Sequence, residues 1–415
     1  MLKPVYLDHA ATTPVDPRVA AAMAQCLTME GEFGNPASAS HAYGDAAGAL
    51  VETARAQVAA CVGAAPAEVV WTSGATEANN LAIFGVAQYY REQGRHIVTA
   101  RTEHKAVLDP CRELERRGWR VTRLAPDSAG VIDPAQVAEA LQADTVLVSI
   151  MHVNNEIGVI QDIPAIGAVC AQHGLARLHV DAAQSVGKTA VDFAQFGADL
   201  MSLSAHKVYG PKGVGALLVS RGVGREQRGV GREERGVGRE QRDVGREERA
   251  PVQLTALQFG GGQERGFRAG TVATHQVVGM GLAFELARTA PPSDAERIAI
   301  LRERLWRGLA SLGGTFRNGD AQRSVPHVLN ASFEGVEGES LLAAVRDRLA
   351  VSTGSACTSA LQEPSYVLRA LGRDDILSES SLRFGLGRST SENDIDTAVA
   401  VVGEAVSRLR KISGA

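Results

Sequence analysis

Short apolar, β-rich runs alternate with amphipathic helical patterns through the first half of the chain. This alternation, more than any other feature, limits the folds open to it. Strands are predicted at Glu68–Ser73, His96–Ala100, Thr145–Met151, Leu178–Ala182, Leu200–Ser204 and Gly215–Ser220. Between them lie helical patterns such as Asn79–Gln93, His104–Arg117 and Ile163–His173. Continuous apolar strands separated by helices require a mainly parallel sheet covered on both faces, an α/β architecture. In such sheets, functional residues gather at the carboxyl ends of the strands. At 415 residues the chain exceeds what one hydrophobic core usually organises, so two domains, or one domain with lobes, are expected.

Residues 221–249 interrupt the pattern with four near-identical heptads, RGVGREQ, RGVGREE, RGVGREQ and RDVGREE. One Val per heptad cannot form a coiled-coil seam, and glycine costs about 1 kcal/mol in a helix. A solvated, largely disordered surface insertion is expected, with a basic docking element as the alternative. Beyond it come a glycine cluster, FGGGQERGFRAGT, and a long helix beginning near His275. The remainder holds two helical stretches, a β-rich run at Val328–Phe333 and a Gly/Ser-rich loop, VSTGSACTSA, which reads as a mixed C-terminal lobe.

The net charge of −4 shows no sign-segregated half, which argues against nucleic acid and acidic lipid as partners. No apolar run approaches the roughly 20 residues of a membrane span, and the first residues lack a signal-peptide pattern. The five scattered cysteines contain no CxxC pair; this argues against a disulfide framework or a zinc site and for a reducing, cytoplasmic compartment. Cys26, Cys61, Cys111 and Cys170 read as small core hydrophobes. Cys357 instead lies among Ser, Thr, Gly and Ala, as an accessible nucleophile would on a mobile loop; an incidental surface cysteine is the bland reading.

Three strand ends carry chemistry. In SLSAHKVYGPKG, Lys207 follows a strand and is flanked by Ser204 and His206, which suits a Schiff base with an aldehyde cofactor. In EVVWTSGATEANN, a small-residue turn opens a helix whose free N–H groups, with the Thr76 hydroxyl, can hold an anion; alone it is equally a capping turn. In HVDAAQS, Asp181 ends a strand, where a carboxylate could pair with a protonated pyridine nitrogen and Gln184 could reach a ring oxygen.

Taken together, these elements resemble the cysteine desulfurases, members of the class-V aminotransferase family with the fold-type-I pyridoxal-phosphate architecture. The closest likeness is to the housekeeping bacterial branch that supplies iron–sulfur assembly. YLDHAATTPVDPRV, FGNPAS, TSGATEANNLAI, TEHKAVLD, SIMHVNNEIGVIQDI, SLSAHKVYGPKGVGAL, GGGQERGFRAGT, GSACTSA and SLRFGLGR all follow its pattern, across nearly the whole chain outside the insertion.

The resemblance implies a seven-stranded, mainly parallel sheet in a large domain at 16–288, with a smaller α+β domain formed by 1–15 and 289–415. It implies pyridoxal 5′-phosphate linked to Lys207, which later moves the substrate's Cα proton. Asp181 would pair with the pyridine nitrogen, Gln184 with the ring hydroxyl, and His104 would stack on the ring. Asn155 would contact the ring, while Ala75, Thr76, Ser204 and His206 would hold the phosphate with Thr271 of a second subunit. Asn35 and Arg383 would grip the carboxylate of L-cysteine. Cys357 would take the sulfur as a persulfide, hand it to a scaffold or another acceptor protein, and could serve as a transient iron–sulfur ligand; no resident metal is implied.

Three departures stand out. Ala183 and Ala205 are small replacements of little expected effect, and the heptads are not a family feature. The chain stops at SRLRKISGA, short of the tail with which that branch holds its scaffold, which leaves the partner open. A selenocysteine lyase or an aminotransferase on the same fold is the rival enzyme reading. A non-catalytic assembly scaffold is the rival of another class, with no use for Lys207, Asp181, His104 and Cys357 together.

Overall fold

A computed structural model describes residues 3–221, 251–353 and 364–414. The heptad insertion beyond Arg221, and Cys357 with its loop, lie outside the described residues. The strands in chain order are β1 (Val5–Tyr6), β2 (Val69–Thr72), β3 (His96–Ala100), β4 (Arg120–Leu124), β5 (Thr145–Ser149) and β6 (Arg177–Asp181). They continue as β7 (Leu200–Ser204), β8 (Gly215–Val219), β9 (Thr315–Arg317), β10 (Val328–Phe333), β11 (Leu349–Ala350) and β12 (Ser381–Gly385).

The main sheet has seven strands in the order β2-β8-β7-β6-β5-β3-β4. Only β8 runs against its neighbours, so the sheet is mainly parallel as expected. Six of the seven strands are buried at every position, as a sheet covered on both faces must be. One face packs on Val58, Trp71, Leu178, Leu203 and Phe284, the other on Leu81, Ile83, Ile97, Leu147 and Leu217. The helix predicted from His275 spans Thr274–Arg288 and lies against the Ala42–Cys61 helix.

A separate core joins Leu7 to side chains from the Pro292–Ala310 and Glu392–Ser413 helices and from β10 and β12. Here β10 pairs antiparallel with both β12 and β9. The N-terminal segment ties this core to the large sheet. β1 lies parallel to β11, and a few residues on Thr13 N donates to His206 O at 2.8 Å, beyond the end of β7.

The sequence reading missed β4, β9 and β12, and the two-residue strands β1 and β11. β4 is an edge strand whose Arg120 and Arg123 interrupt its apolar character, the usual protection of an unpaired edge. The C-terminal part holds five helices among the described residues, not two. Tyr366–Ala370 and Asp375–Glu379 are too short to show a period.

Candidate active site

The parallel strands present their carboxyl ends on one edge of the sheet. A cavity of about 420 Å³ opens there. Ala75, Thr76, His104, Asn155, Asp181, Gln184, Ser204, His206 and Lys207 all line it. Nine of the residues named from sequence therefore meet in one place, drawn from the ends of β2, β3, β5, β6 and β7.

Each is held for a local reason. Gly74 caps the Ala75–Tyr90 helix at φ 154 with no capping side chain, so the first-turn N–H groups remain open toward the cavity. Gly215 of β8 passes so close that a Cβ there would lie 2.7 Å from Gly74 Cα. Asp181 closes β6, its Oδ2 accepting from Asn79 Nδ2 at 2.7 Å and its Oδ1 from Ala183 N at 3.0 Å. Behind it, the His179 ring spans Ser149 and Ser202 at 2.8 and 2.9 Å, and burial pushes its pKa down to about 4, so it is neutral.

His104 caps the Lys105–Arg116 helix, its Nδ1 accepting from Ala106 N at 3.1 Å. Burial lowers its pKa, opposed by Asp181 and assisted by Lys207. With Nδ1 accepting, the neutral ring carries its proton on Nε2. The turn carrying Lys207 is locked by the N-terminal segment. Thr13 Oγ1 donates to His206 O at 2.9 Å and accepts from Tyr209 N at 2.8 Å, while Tyr209 sits at a left-handed φ of 60.

Two carboxyls are buried beside the cavity wall with no ion-pair partner among the described residues. Burial raises Glu103 well above the usual carboxylate range, with Met151 N donating to its Oε1 at 2.8 Å. Glu156, which accepts from Ser365 Oγ, is raised to about 7 by burial, with Arg383 opposing the rise. Ser365 and Tyr366 follow the undescribed Cys357 loop, and Tyr366 OH donates to Glu103 O at 2.8 Å.

Three sequence-named residues do not line the cavity. Asn35 and Thr271 are exposed in the single chain, and Asn35 Oδ1 accepts from Ala37 N. Arg383 lies behind the wall, donating through Nη1 to Asn155 O and through Nη2 to Asp8 Oδ1, both at 2.9 Å. Sequence reasoning missed Asn79, although its place three residues after Thr76 puts both on one helix face. It missed Thr13, Asp8 and Glu103 as well.

A larger cleft of about 830 Å³ lies beyond Lys207, lined by His9, Lys188, His327 and Arg388 among others. Of the site residues named from sequence only Lys207 lines it, whereas nine line the smaller cavity. Among the described residues, no cluster of His, Cys, Asp or Glu could hold a metal ion, and no helix is long and apolar enough to cross a membrane.

The cavity fits pyridoxal phosphate. Ser204 Oγ and Asn155 Oδ1 are buried in it without a hydrogen-bond partner, at the phosphate and ring ends respectively of the expected pose. A primary amine, a strand-end carboxylate and open helix N–H groups complete what that group needs. Fold and site together define a fold-type-I pyridoxal-phosphate enzyme.

The family model Aminotransferase class-V matches residues 5–398. Cysteine desulfurase IscS of Pectobacterium atrosepticum is 52% identical over 413 residues, covering 100% of this chain and 95% of that protein. Cysteine desulfurase IscS of Klebsiella pneumoniae matches to the same extent. Among solved structures, a NifS-like protein superposes with a TM-score of 0.84 at 32% identity, covering 98% of this chain and 100% of its own. DndA from Streptomyces lividans gives 0.73 at 40% identity, covering 92% and 99%. SspA in complex with cysteine gives 0.75 at 35% identity, covering 93% and 99%. The chain belongs to the class-V aminotransferase family, among its cysteine desulfurases, and pyridoxal phosphate is its cofactor.

Proposed function

We infer that the chain takes sulfur from L-cysteine, releasing L-alanine and leaving a persulfide on Cys357. The observation that carries this reading is the meeting of Lys207, Asp181 and His104 in one cavity with the partnerless Ser204 and Asn155 side chains. When bound, the cofactor supplies an electron-withdrawing ring that stores the pair left when the substrate's Cα loses its proton.

The chain's own groups do the rest. Lys207 Nζ holds the cofactor and is the base at Cα. Asp181 keeps the ring nitrogen protonated, its own position held by Asn79 and Ala183. His104 covers the ring as a neutral imidazole, and Gln184 reaches its hydroxyl oxygen. Ala75, Thr76, Ser204 and His206 bind the phosphate. Asn155 contacts the ring, and Arg383 with Asn35 takes the substrate carboxylate, to which a planar guanidinium fork is suited.

The Cys357 thiolate then attacks the substrate sulfur. An S–S bond forms, the Cβ–S bond breaks, and its electron pair stays with the carbon skeleton, which is protonated and leaves as alanine. The other cysteines support this assignment by elimination. Burial raises Cys26, pushes Cys61 up to about 11 and Cys111 up to about 12, and Cys170 is buried. A thiol held protonated is a poor nucleophile.

Further expectations complete the reading. The enzyme is a homodimer in which Thr271, exposed in the single chain, reaches the partner's phosphate site. The packing supports a cofactor domain at 16–288 and a smaller one from 1–15 and 289–415. The acceptors are an iron–sulfur scaffold and other sulfur-accepting proteins of the cytoplasm.

The test is quantification of alanine and of sulfide from cysteine, with Lys207→Ala as the partner measurement. That variant should yield neither alanine nor a cofactor fixed to the peptide by borohydride. Turnover at the wild-type rate in Lys207→Ala would remove the basis of the reading.

A further inference from the structure

Lys188 stands four residues beyond Gln184, in the turn that follows β6. Its stem is partly exposed while its ammonium is buried, and the residue lines the larger cleft. Lys188 Nζ donates to Gln184 Oε1, and Gln184 Nε2 donates to Ala10 O at 2.7 Å. An amide's two ends are usually hard to tell apart, because oxygen and nitrogen have nearly the same shape. Here chemistry decides. A backbone carbonyl only accepts and an ammonium only donates, so a flipped amide would set oxygen against oxygen and N–H against N–H.

With both ends assigned, Gln184 has one Nε2 hydrogen left, and the residue lines the cofactor cavity. It can offer an acceptor oxygen in that cavity a donor and nothing else.

We propose that Lys188 is a positioning residue, which fixes the Gln184 amide as a donor toward the ring oxygen of the cofactor. This rests on the reading that Gln184 meets that oxygen. An N–H directed at the oxygen competes with the proton that oxygen shares with the Lys207 linkage, so it lowers that linkage's proton affinity. A fixed positive charge nearby acts in the same direction.

The surroundings of Lys188 are cationic or neutral. It faces Lys207 beyond β7, Arg383 on β12, His9 of the N-terminal segment, His206 and His327. Among the described residues no carboxylate pairs with it. Burial pushes its amine down to about 7, with Lys207 and Arg383 adding to the effect. An anionic oxygen bound through Gln184 raises it again and keeps it a donor.

The experiment uses full-length enzyme loaded with pyridoxal phosphate, without cysteine. The visible absorption band is titrated with pH in wild type, Gln184→Ala, Lys188→Met, Lys188→Gln and Lys188→Arg. Cofactor affinity is read separately by titrating each apoenzyme. Gln184→Ala, Lys188→Met and Lys188→Gln should raise the titration midpoint by about one pH unit, tenfold in proton affinity. They should also weaken cofactor binding. Lys188→Arg, again donor-only, should restore the wild-type midpoint, which a purely structural role for Lys188 does not predict. If Lys188→Met fails to fold, the contrast between Gln and Arg decides. A shift in Gln184→Ala with none in Lys188→Met or Lys188→Gln overturns the assignment of Lys188 alone. No shift in Gln184→Ala overturns the reading of Gln184 beneath it.

Discussion

Replacing Asp181 by Asn separates the charge at the base of the cavity from its shape. The carboxylate is 5% exposed and accepts one donor on each oxygen, from Asn79 Nδ2 and Ala183 N. An amide of the same outline fills the space but cannot hold a proton on a pyridine nitrogen. Leaving a buried cation without its partner costs about 3–5 kcal/mol. At 1.36 kcal/mol per tenfold, kcat should fall roughly 150- to 5,000-fold.

The fold should survive. Asn79 Oδ1 is itself buried without a partner, so a rotation of the Asn79 amide presents an acceptor to the new N–H groups. Asn79→Ala is the milder companion. It removes one hydrogen bond to a charged group, about 1.5–3 kcal/mol, or roughly 10- to 150-fold. The assay is alanine formation at saturating cysteine, normalised to cofactor content, with a thermal melt on each variant. Asp181→Asn retaining more than a tenth of wild-type kcat (about 1.4 kcal/mol) at full cofactor loading would refute the charge argument.

Cys357→Ala should still take up cofactor and bind cysteine, yet release almost no sulfide; after a brief cysteine pulse, mass spectrometry of wild type should find the extra sulfur on the Cys357 peptide, and on none of the four other cysteines. Thr271→Ala should weaken cofactor retention by about 1 kcal/mol or more in a dimeric enzyme, and light scattering showing a fully active monomer would contradict it. Folding raises the Glu156 pKa from 4.5 to about 7, so the folded state holds that proton more tightly. The stability this confers is complete below about pH 4.5 and is lost as pH rises through 7. Glu156→Gln should therefore gain on wild type as pH rises across that window, by up to about 3 kcal/mol in urea unfolding, and parallel curves would exclude it. Deleting 222–248 should leave cysteine turnover within roughly twofold, since a long excursion costs little in loop closure; lost cofactor binding would mean the heptads are structural.

The cavity was legible because its parts are local. Lys207, Asp181 and Thr76 each sit in a short motif beside a strand end, and a parallel sheet brings those ends together without further information, whereas His104 came only with the family resemblance. Asn79 and Lys188 were not legible, although each stands close in sequence to a named residue. Asn79 acts on a carboxylate 102 positions away, and the meaning of Lys188 depends on Ala10, 174 positions from Gln184. Asp8 reaches Arg383 across 375 positions. No periodicity encodes pairings at such range. β4 was missed for another reason: as an edge strand it displays arginines, and the apolar run that betrays its neighbours is absent.

The Thr13 segment that locks the Lys207 turn belongs to a stretch of chain whose strand partner is made late. Val5 pairs with Leu349, roughly 340 residues later, and Leu7 fills a core completed by the final helix. Closing a loop of that size costs about 5 kcal/mol in chain entropy before any contact offsets it. A ribosome that has released the whole large sheet has released Thr13 and the Lys207 turn it locks, but not yet the strand and core that anchor residues 5–7. The amino end of the locking segment stays unanchored until the C-terminal third emerges and draws the first residues back. A C-terminal truncation should therefore weaken cofactor binding although every cavity-lining residue is still encoded, and a truncated chain with wild-type affinity would contradict this.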